Sequence, residues 1–272
     1  MSGDDAYARF TAFLERHVGI TLGATKDYLV NSRLAPVLAT WGLPDLPAVV
    51  DALERRQDEA LRAAVVDAMT TNETNWFRDT YPFRYLGEAL FGELFARRRP
   101  IRIWSAACSS GQEAYSIAML VHEYRTVRPA DNATPVDIVA TDVSGAVLRQ
   151  ARAGVYDALG GVRGLSPERL TRYFDRTPAG YELKPVIRNR VSFREFNLLG
   201  DPALLGQFDV VFLRNVLIYF SVETRARLLA RIRRQMQPKG VLVVGASEAI
   251  PERELGLTMV KLPDGVIYRR GD

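Results

Sequence analysis

The sequence predicts an α/β protein: an open, mostly parallel sheet preceded by an all-helical segment. From residue 101 onward, short apolar runs alternate with helical stretches, which is the pattern of βαβ units. Residues 4–70 carry only apolar stripes with the helical period. The last two apolar runs, 257–262 and 266–269, flank a Pro-Asp-Gly turn. They predict a hairpin that ends the sheet with one reversed strand.

The composition fits a globular chain that can bury a large core in one or two domains. It has 272 residues, of which 47% are apolar and 25% charged. No apolar run reaches the ~20 residues of a membrane span, and the first ten residues lack a signal-peptide pattern, so we expect a cytoplasmic protein without membrane insertion. The single cysteine, Cys108, excludes an internal disulfide and a multi-cysteine metal site, and we expect no metal.

Charge restricts the partners only weakly. The net charge of +4 permits an acidic partner without requiring one. The arginine clusters lack the interleaved aromatic residues that would indicate base stacking, so we expect no nucleic acid partner.

The first 70 residues predict a small helical domain. Gly19 and Gly42 follow the first two apolar stripes as helix stops, and a last stripe ends near Met69. The second helix carries Lys26 and Arg33 with no acid after Asp27. That helix therefore has either a basic docking face or an ordinary solvated one.

A polar segment, TTNETNWFR at residues 70–78, follows these helices. Five of its first six residues are Thr or Asn, which compete with helix by bonding to the local backbone. One interpretation is a linker in which Thr74 caps a helix that begins near Asp79. The other is a binding role, because Trp76, Phe77 and Arg78 stand side by side where a linker is usually small and polar.

Residues 101–119, IRIWSAACSSGQEAYSIAM, predict a strand, a tight turn and a helix. The small turn residues let the backbone approach a ligand, and free N–H groups at the helix start favour polar or anionic atoms. The turn has one glycine, Gly111, instead of the spaced glycines of a dinucleotide site, and Glu113 would repel a pyrophosphate. The acid suits a cation better. An ordinary turn of a parallel sheet is the alternative.

Asp142 ends the next apolar strand, where a carboxylate can accept hydrogen bonds from two ribose hydroxyls. It lies further beyond Gly111 than the ~20 residues of the dinucleotide fingerprint, because a polar connector intervenes. Two more buried strands are predicted at 208–213 and 241–244.

Residues 154–194 interrupt the alternation of strands and helices. They contain three glycines, a short helix capped by Ser166, and candidate strands at 181–184 and 191–193. The sequence therefore predicts an inserted β-subdomain. A recognition role and a tolerated loop excursion both fit it.

Five motifs in this order resemble the chemotaxis receptor glutamate methyltransferase family across nearly the whole chain. They are TTNETNWFR, WSAACSSGQEAYSIAM, Asp142 after a strand, Asn197 and Leu198 in FNLL, and RNVLIYF at 214–220. The resemblance implies a Rossmann-like methyltransferase domain at 100–272 with an inserted antiparallel β-subdomain at about 154–194. It also implies a helical N-terminal substrate-docking domain at 1–75, joined through a linker and connecting helix at 76–99.

The resemblance further implies methyl transfer from S-adenosylmethionine to glutamate carboxylates of chemoreceptor signalling helices, giving methyl esters and S-adenosylhomocysteine. The matched cofactor contacts are Asn72, Thr74, Arg78, Glu113, Asp142, Asn197, Leu198, Arg214 and Asn215. Gln112 replaces a glutamate, and Trp76 a phenylalanine, that the family usually carries. We expect the larger Trp76 side chain to change the shape of the wall of the cofactor site.

The chemistry needs alignment and exclusion of water more than proton transfer. A glutamate side chain with a pKa near ~4.3 is already ionised at neutral pH, so no general base is required. Our hypothesis is that Arg78 and Tyr219 are the catalytic residues and position the carboxylate, while Glu113 faces the cofactor's ammonium and Asp142 its ribose. The alternatives are a surface ion pair for Arg78 and a core aromatic role for Tyr219.

The expected partner is the acidic cytoplasmic helical domain of chemoreceptors, docked on the helical domain with Arg33 at the surface. A peptide from the receptor's C-terminus could occupy the inserted subdomain. Two rival functions fit the sheet and the acids: a methyltransferase for a small molecule or nucleic acid, and a non-catalytic sensor that binds S-adenosylmethionine.

Overall fold

A computed structural model describes residues 3–23, 26–55 and 58–272, and its N-terminal part is the predicted helical domain. The helices are α1 (Gly3–Val18), α2 (Asp27–Trp41), α3 (Leu46–Arg55) and α4 (Glu59–Met69). Their apolar faces form one core in which Phe10, Leu34 and Leu61 are almost fully buried. The predicted stop at Gly42 is confirmed: this residue caps α2 in the left-handed conformation, with φ 62°.

A second helical run connects this domain to the sheet. It consists of α5 (Tyr81–Tyr85), a π-helical turn (Leu86–Leu90) and α6 (Phe91–Ala96). The run begins after Thr80, so the idea that Thr74 caps a helix near Asp79 was wrong. Backbone conformation explains the difference, because Asp79 and Thr80 have φ of 66° and 50°, outside the helical region.

The strands follow in chain order. They are β1 (Ile101–Ala106), β2 (Val136–Asp142), β3 (Val155–Tyr156), β4 (Phe174–Thr177), β5 (Gly180–Leu183), β6 (Val191–Glu195), β7 (Phe208–Leu213), β8 (Met236–Val244), β9 (Leu257–Leu262) and β10 (Gly265–Arg270).

Among the described residues, seven strands form the main sheet in the order β6-β2-β1-β7-β8-β10-β9. Neighbours from β6 to β8 pair in parallel. β10 pairs antiparallel with both β8 and β9. The predicted parallel sheet with a terminal hairpin and one reversed strand is confirmed.

Three helices pack on the faces of this sheet: α7 (Gln112–Val127), α8 (Gly145–Ala153) and α11 (Val222–Gln235). Of the two shorter helices, α9 (Pro167–Tyr173) contacts β4 and α10 (Pro185–Arg188) contacts α7. Side chains alternate along β1, so Ile103 packs in the core that includes α7 and Trp104 in the core that includes α11. No helix in the described part of the chain is long and apolar enough to cross a bilayer.

The inserted subdomain is a separate antiparallel sheet in the order β3-β5-β4. The expected bounds, 154–194, were too long. The candidate strand at 191–193 is part of β6, which pairs in parallel with β2 at the edge of the main sheet. Its apolar pattern predicts a strand correctly, but the pattern carries no information about the partner strand.

Candidate active site

A cleft opens where the parallel strands end and the N-terminal domain covers them. Its volume is about 980 Å³, including the open mouth. In open α/β sheets, ligands bind outside the carboxyl ends of the strands. All nine residues predicted as cofactor contacts line this cleft, together with Tyr219: Asn72, Thr74, Arg78, Glu113, Asp142, Asn197, Leu198, Arg214 and Asn215.

The turn between β1 and α7 forms the floor of the cleft. Ala107 and Ser109 have left-handed φ of 63° and 51°, and Gly111 has φ 93°. Gly111 has no room for a side chain, because a Cβ would lie 3.0 Å from the Ala151 Cβ. Ser109 Oγ donates to the Asn72 carbonyl at 2.9 Å, which ties the turn to the segment before Arg78.

Asp142 is buried at the end of β2 and is held by backbone N–H groups. Its Oδ2 accepts from Ser109 N at 2.8 Å and its Oδ1 from Ser144 N at 3.0 Å. Burial raises the pKa of Asp142, and these N–H groups oppose the rise. Each carboxylate oxygen retains acceptor capacity, so the group can bind a vicinal diol.

Arg214 joins two carboxylates below the cleft. Its Nη1 lies 2.8 Å from Glu113 Oε2, and its Nη2 lies 2.8 Å from Asp79 Oδ2. Nη2 also donates to the Arg78 carbonyl at 2.6 Å. Glu113 Oε1 accepts from Ser105 Oγ at 2.7 Å. Burial lowers the pKa of Arg214, but the two carboxylates outweigh it and the net shift is upward, so Arg214 stays charged.

One donor of Arg214 has no partner in the described part of the chain. Its Nε is buried and makes no hydrogen bond, and the residue lines the cleft. A buried donor without an acceptor is costly.

Arg78 lies in a backbone turn of unusual conformation beside the cleft. Phe77, Asp79 and Thr80 all have positive φ, between 50° and 66°. The Phe77 N–H donates to Ser116 Oγ at 3.1 Å, and Arg78 Nη1 donates to the Glu73 carbonyl at 3.1 Å. The half-buried Arg78 guanidinium therefore keeps donors for a ligand.

The loop after β7 carries Asn215 and Tyr219. Asn215 is left-handed, with φ 57°. The buried Glu248 carboxylate holds this loop by accepting from the backbone N–H groups of Asn215 and Leu217 at 2.8 Å and of Gly245 at 2.7 Å. Sequence reasoning missed this role of Glu248. The Tyr219 hydroxyl has no hydrogen-bond partner within residues 3–23, 26–55 and 58–272.

The N-terminal domain forms the roof of the cleft, which the sequence did not predict. Ile20 forms an antiparallel bridge with Phe220, and Thr21 N donates to the Tyr219 carbonyl at 2.9 Å. The Asn197 amide donates to the His17 carbonyl, and its Oδ1 accepts from a backbone N–H. Asn197 thus joins the two domains as well as lining the cleft.

Two residues singled out from the sequence lie elsewhere. Arg33 does not line the cleft: its guanidinium donates to the Met69 carbonyl at 2.7 Å and to Thr71 Oγ1 at 2.9 Å. Trp76 forms no wall of the cleft but is buried beneath the inserted subdomain.

Cys108 lines the cleft, and burial raises the pKa of its thiol well above the usual value, which disfavours a nucleophilic thiolate.

A parallel sheet with one reversed strand, a ligand cleft at its carboxyl edge and an acid at the end of the second strand are typical of Rossmann-like methyltransferases that use S-adenosylmethionine. The family follows from the sequence: residues 72–266 match the model described as "CheR methyltransferase, SAM binding domain" and residues 5–70 match "CheR methyltransferase, all-alpha domain". The chain belongs to the CheR methyltransferase family.

Curated relatives agree over nearly the whole length of the chain. Chemotaxis protein methyltransferase 1 of Pseudomonas aeruginosa is 49% identical over 263 residues, covering 96% of each chain. A chemotaxis protein methyltransferase of Pseudomonas putida is 47% identical and covers 98% of each chain. That of Vibrio parahaemolyticus is 45% identical, covering 98% of this chain and 97% of its own.

The lining of the cleft fits S-adenosylmethionine. Asp142 has acceptor capacity for the ribose diol. Val143, Phe196 and Leu198 offer apolar surface for the adenine. The Glu113 carboxylate matches the ammonium charge of an amino-acid group.

Proposed function

We propose that this chain transfers methyl groups to glutamate side chains on the cytoplasmic signalling helices of chemoreceptors. The observation that supports this is the convergence of Tyr219 and the nine matched residues, Arg78 among them, on one cleft with an open mouth. The chemotaxis names of the relatives support the receptor as the substrate. Because the receptor helices lie in the cytoplasm, the enzyme acts there.

S-adenosylmethionine, when bound, supplies an electrophilic methyl group on a sulfonium. The chain's own residues then have two tasks. Asp142 binds the ribose, and Glu113 binds the ammonium of the amino-acid end. Arg78 and Tyr219 hold the incoming carboxylate, whose oxygen must lie in line with the methyl–sulfur bond.

No residue needs to remove a proton from the nucleophile, because the substrate carboxylate is already ionised at neutral pH. The N-terminal roof excludes water from the reacting charges and so strengthens the contacts of Arg78 and Tyr219 with them. The Tyr219 hydroxyl is free to make such a contact, because its protein neighbours leave it without a bond in the part of the chain described.

We further propose how the receptor is held. The helical domain docks the acidic methylation helices, with α2 facing them. Arg33 contributes to that surface indirectly, because its donors are bound to the end of α4 and to Thr71. A peptide from the receptor's C-terminus adds to an outer strand of the inserted sheet, where β4 offers a free edge.

The test is methylation of a purified cytoplasmic receptor fragment with tritiated S-adenosylmethionine, scored as methanol released by base. Label that base releases from the precipitated receptor fragment comes from methyl esters on protein. Methyl groups on the bases of nucleic acid resist this treatment, and a methylated small molecule does not precipitate with the protein. Arg78→Ala and Tyr219→Phe should each lower kcat at least tenfold while the fold is kept. Full activity in both variants would refute the assigned roles.

Fragments with and without their C-terminal tails test the tether separately. A tail that binds the inserted sheet should lower KM and leave kcat unchanged, because it raises the local concentration of substrate. Equal KM for the two fragments would exclude the tether and leave the methyl transfer assignment intact.

A further inference from the structure

The turn that carries Arg78 is held in a conformation that its own residues disfavour. Phe77, Asp79 and Thr80 each have φ of at least 50°, although none is glycine. Such conformations cost about 1–3 kcal/mol each and persist only where surrounding contacts enforce them.

Arg214 and Ser116 account for one side of the turn. Arg214 binds the Arg78 carbonyl and the Asp79 carboxylate, and Ser116 Oγ accepts from the Phe77 N–H. Both residues belong to the main domain: Arg214 fixes the turn at Arg78 and Asp79, and Ser116 of α7 fixes the N–H of Phe77 just before them.

The inserted subdomain holds the upstream half through Trp76. The Trp76 Nε1 donates to the Gly161 carbonyl at 2.8 Å, and the Trp76 backbone N–H donates to the Arg163 carbonyl at 3.1 Å. The indole is 1% exposed and meets Tyr156 and Phe174 edge-on, with ring centroids 5.0 and 5.3 Å away. Both rings belong to the small sheet.

Two further contacts join the inserted subdomain to the residues before Arg78. Gly164 has φ +97°, and a Cβ there would overlap the Trp76 carbonyl oxygen, so the loop lies directly on the peptide that precedes Phe77. The Arg169 guanidinium lies 4.0 Å above the Phe77 ring and is itself paired with Glu123 at 2.8 Å. The insertion thus contacts both residues that precede Arg78.

We propose that the inserted subdomain, acting through Trp76 and Gly164, positions Arg78 for the reaction. This rests on the role of Arg78 in the proposed function. The insertion therefore has a task in turnover that is independent of any peptide it binds. Trp76 and Gly164 are positioning residues, because neither lines the cleft and both act through the backbone of Arg78.

A double-mutant cycle in kcat tests the proposal, with single-turnover transfer of tritiated methyl to a receptor fragment as the readout. Gly164→Ala should lower kcat about 10- to 100-fold, because a displacement near 1 Å can cost that much. Gly160→Ala is the matched control in the same loop. Its nearest neighbour is 3.9 Å from the added Cβ, so its kcat should equal that of the wild type.

The decisive comparison is the variant with both Gly164→Ala and Arg78→Ala. If Gly164 acts through Arg78, the kcat of the double variant should lie within about twofold of the kcat of Arg78→Ala alone. Losses that multiply in the double variant, or a Gly164→Ala enzyme within twofold of the wild type, would overturn the proposal. Trp76→Phe, which keeps an aromatic ring but loses the bond to Gly161, is judged by the same criteria should Gly164→Ala fail to fold.

The outcomes separate this proposal from the proposed function. A fully active Arg78→Ala enzyme would refute the catalytic role of Arg78 itself. An inactive Arg78→Ala enzyme beside an unaffected Gly164→Ala enzyme would refute only the role of the insertion.

Discussion

Replacing Glu248 by glutamine tests the carboxylate that holds the loop after β7. This group is 7% exposed and accepts three backbone N–H groups, two on one oxygen and one on the other. Glutamine keeps one accepting oxygen. If that oxygen faces Asn215 and Gly245, the amide NH₂ faces the backbone N–H of Leu217. Two donors then meet, and neither the NH₂ nor the Leu217 N–H has an acceptor.

The expected cost follows from these bonds. A buried N–H without an acceptor costs about 1–3 kcal/mol, and the two remaining bonds weaken because they lose the charge on their acceptor. We therefore expect Glu248→Gln to lower the free energy of unfolding by about 3 kcal/mol. For a chain of this size that corresponds to a fall in Tm of roughly 6–12 °C.

Thermal unfolding followed by circular dichroism measures the effect, and Glu254→Gln is the control because Glu254 is exposed in the same loop. Calorimetric titration with S-adenosylhomocysteine should also show weaker binding, since Asn215 lines the cleft. A Glu248→Gln protein that melts within about 1 °C of the wild type would show that the three contacts do not hold the loop.

Three other perturbations have definite expectations. In urea unfolding, Gly19→Ala should destabilise the fold by about 2 kcal/mol more than Gly42→Ala. Both glycines have positive φ, but only at Gly19 would a Cβ lie 2.7 Å from the Phe220 ring. Equal losses of stability in the two variants would contradict this. Asp79→Asn removes one of the two carboxylates bound to the buried Arg214 guanidinium and should lower the free energy of unfolding by about 1–2 kcal/mol. The kcat should fall by a larger factor than the affinity for the cofactor. An unchanged kcat would contradict this expectation. Burial lowers the pKa of His122 below its usual 6.5, so the unfolded chain binds its proton first and stability falls as pH drops below 6.5. The wild type should therefore lose stability relative to His122→Asn between about pH 7.5 and about pH 5.5, and parallel pH profiles would exclude this.

Local patterns predicted the elements well, because each is encoded by its own residues. The stop at Gly42, the turn before α7 and the terminal hairpin all depend on side chains within a few positions of one another. The matched cofactor residues also converge, since the carboxyl ends of parallel strands meet at one edge.

Pairings between distant residues could not be predicted in the same way. Glu248 is visible after β8, but its bonds to a loop more than thirty residues earlier depend on the neighbouring positions of β7 and β8. Trp76 was expected to shape the cleft, yet its indole turns toward the inserted sheet. The strand at 191–193 looked like part of the insertion because alternation alone does not distinguish one sheet from another.

The roof over the cleft has a consequence for how receptor preference can change. The same small helical body that would recognise a receptor also closes the chamber for the methyl donor, through Ile20, Thr21 and His17. A substitution that tilts this body to suit a new receptor would also move one wall of the chamber. Substitutions that adapt the enzyme to new receptors are therefore expected on the outward side of α2, where side chains can change without disturbing the contacts between the two domains.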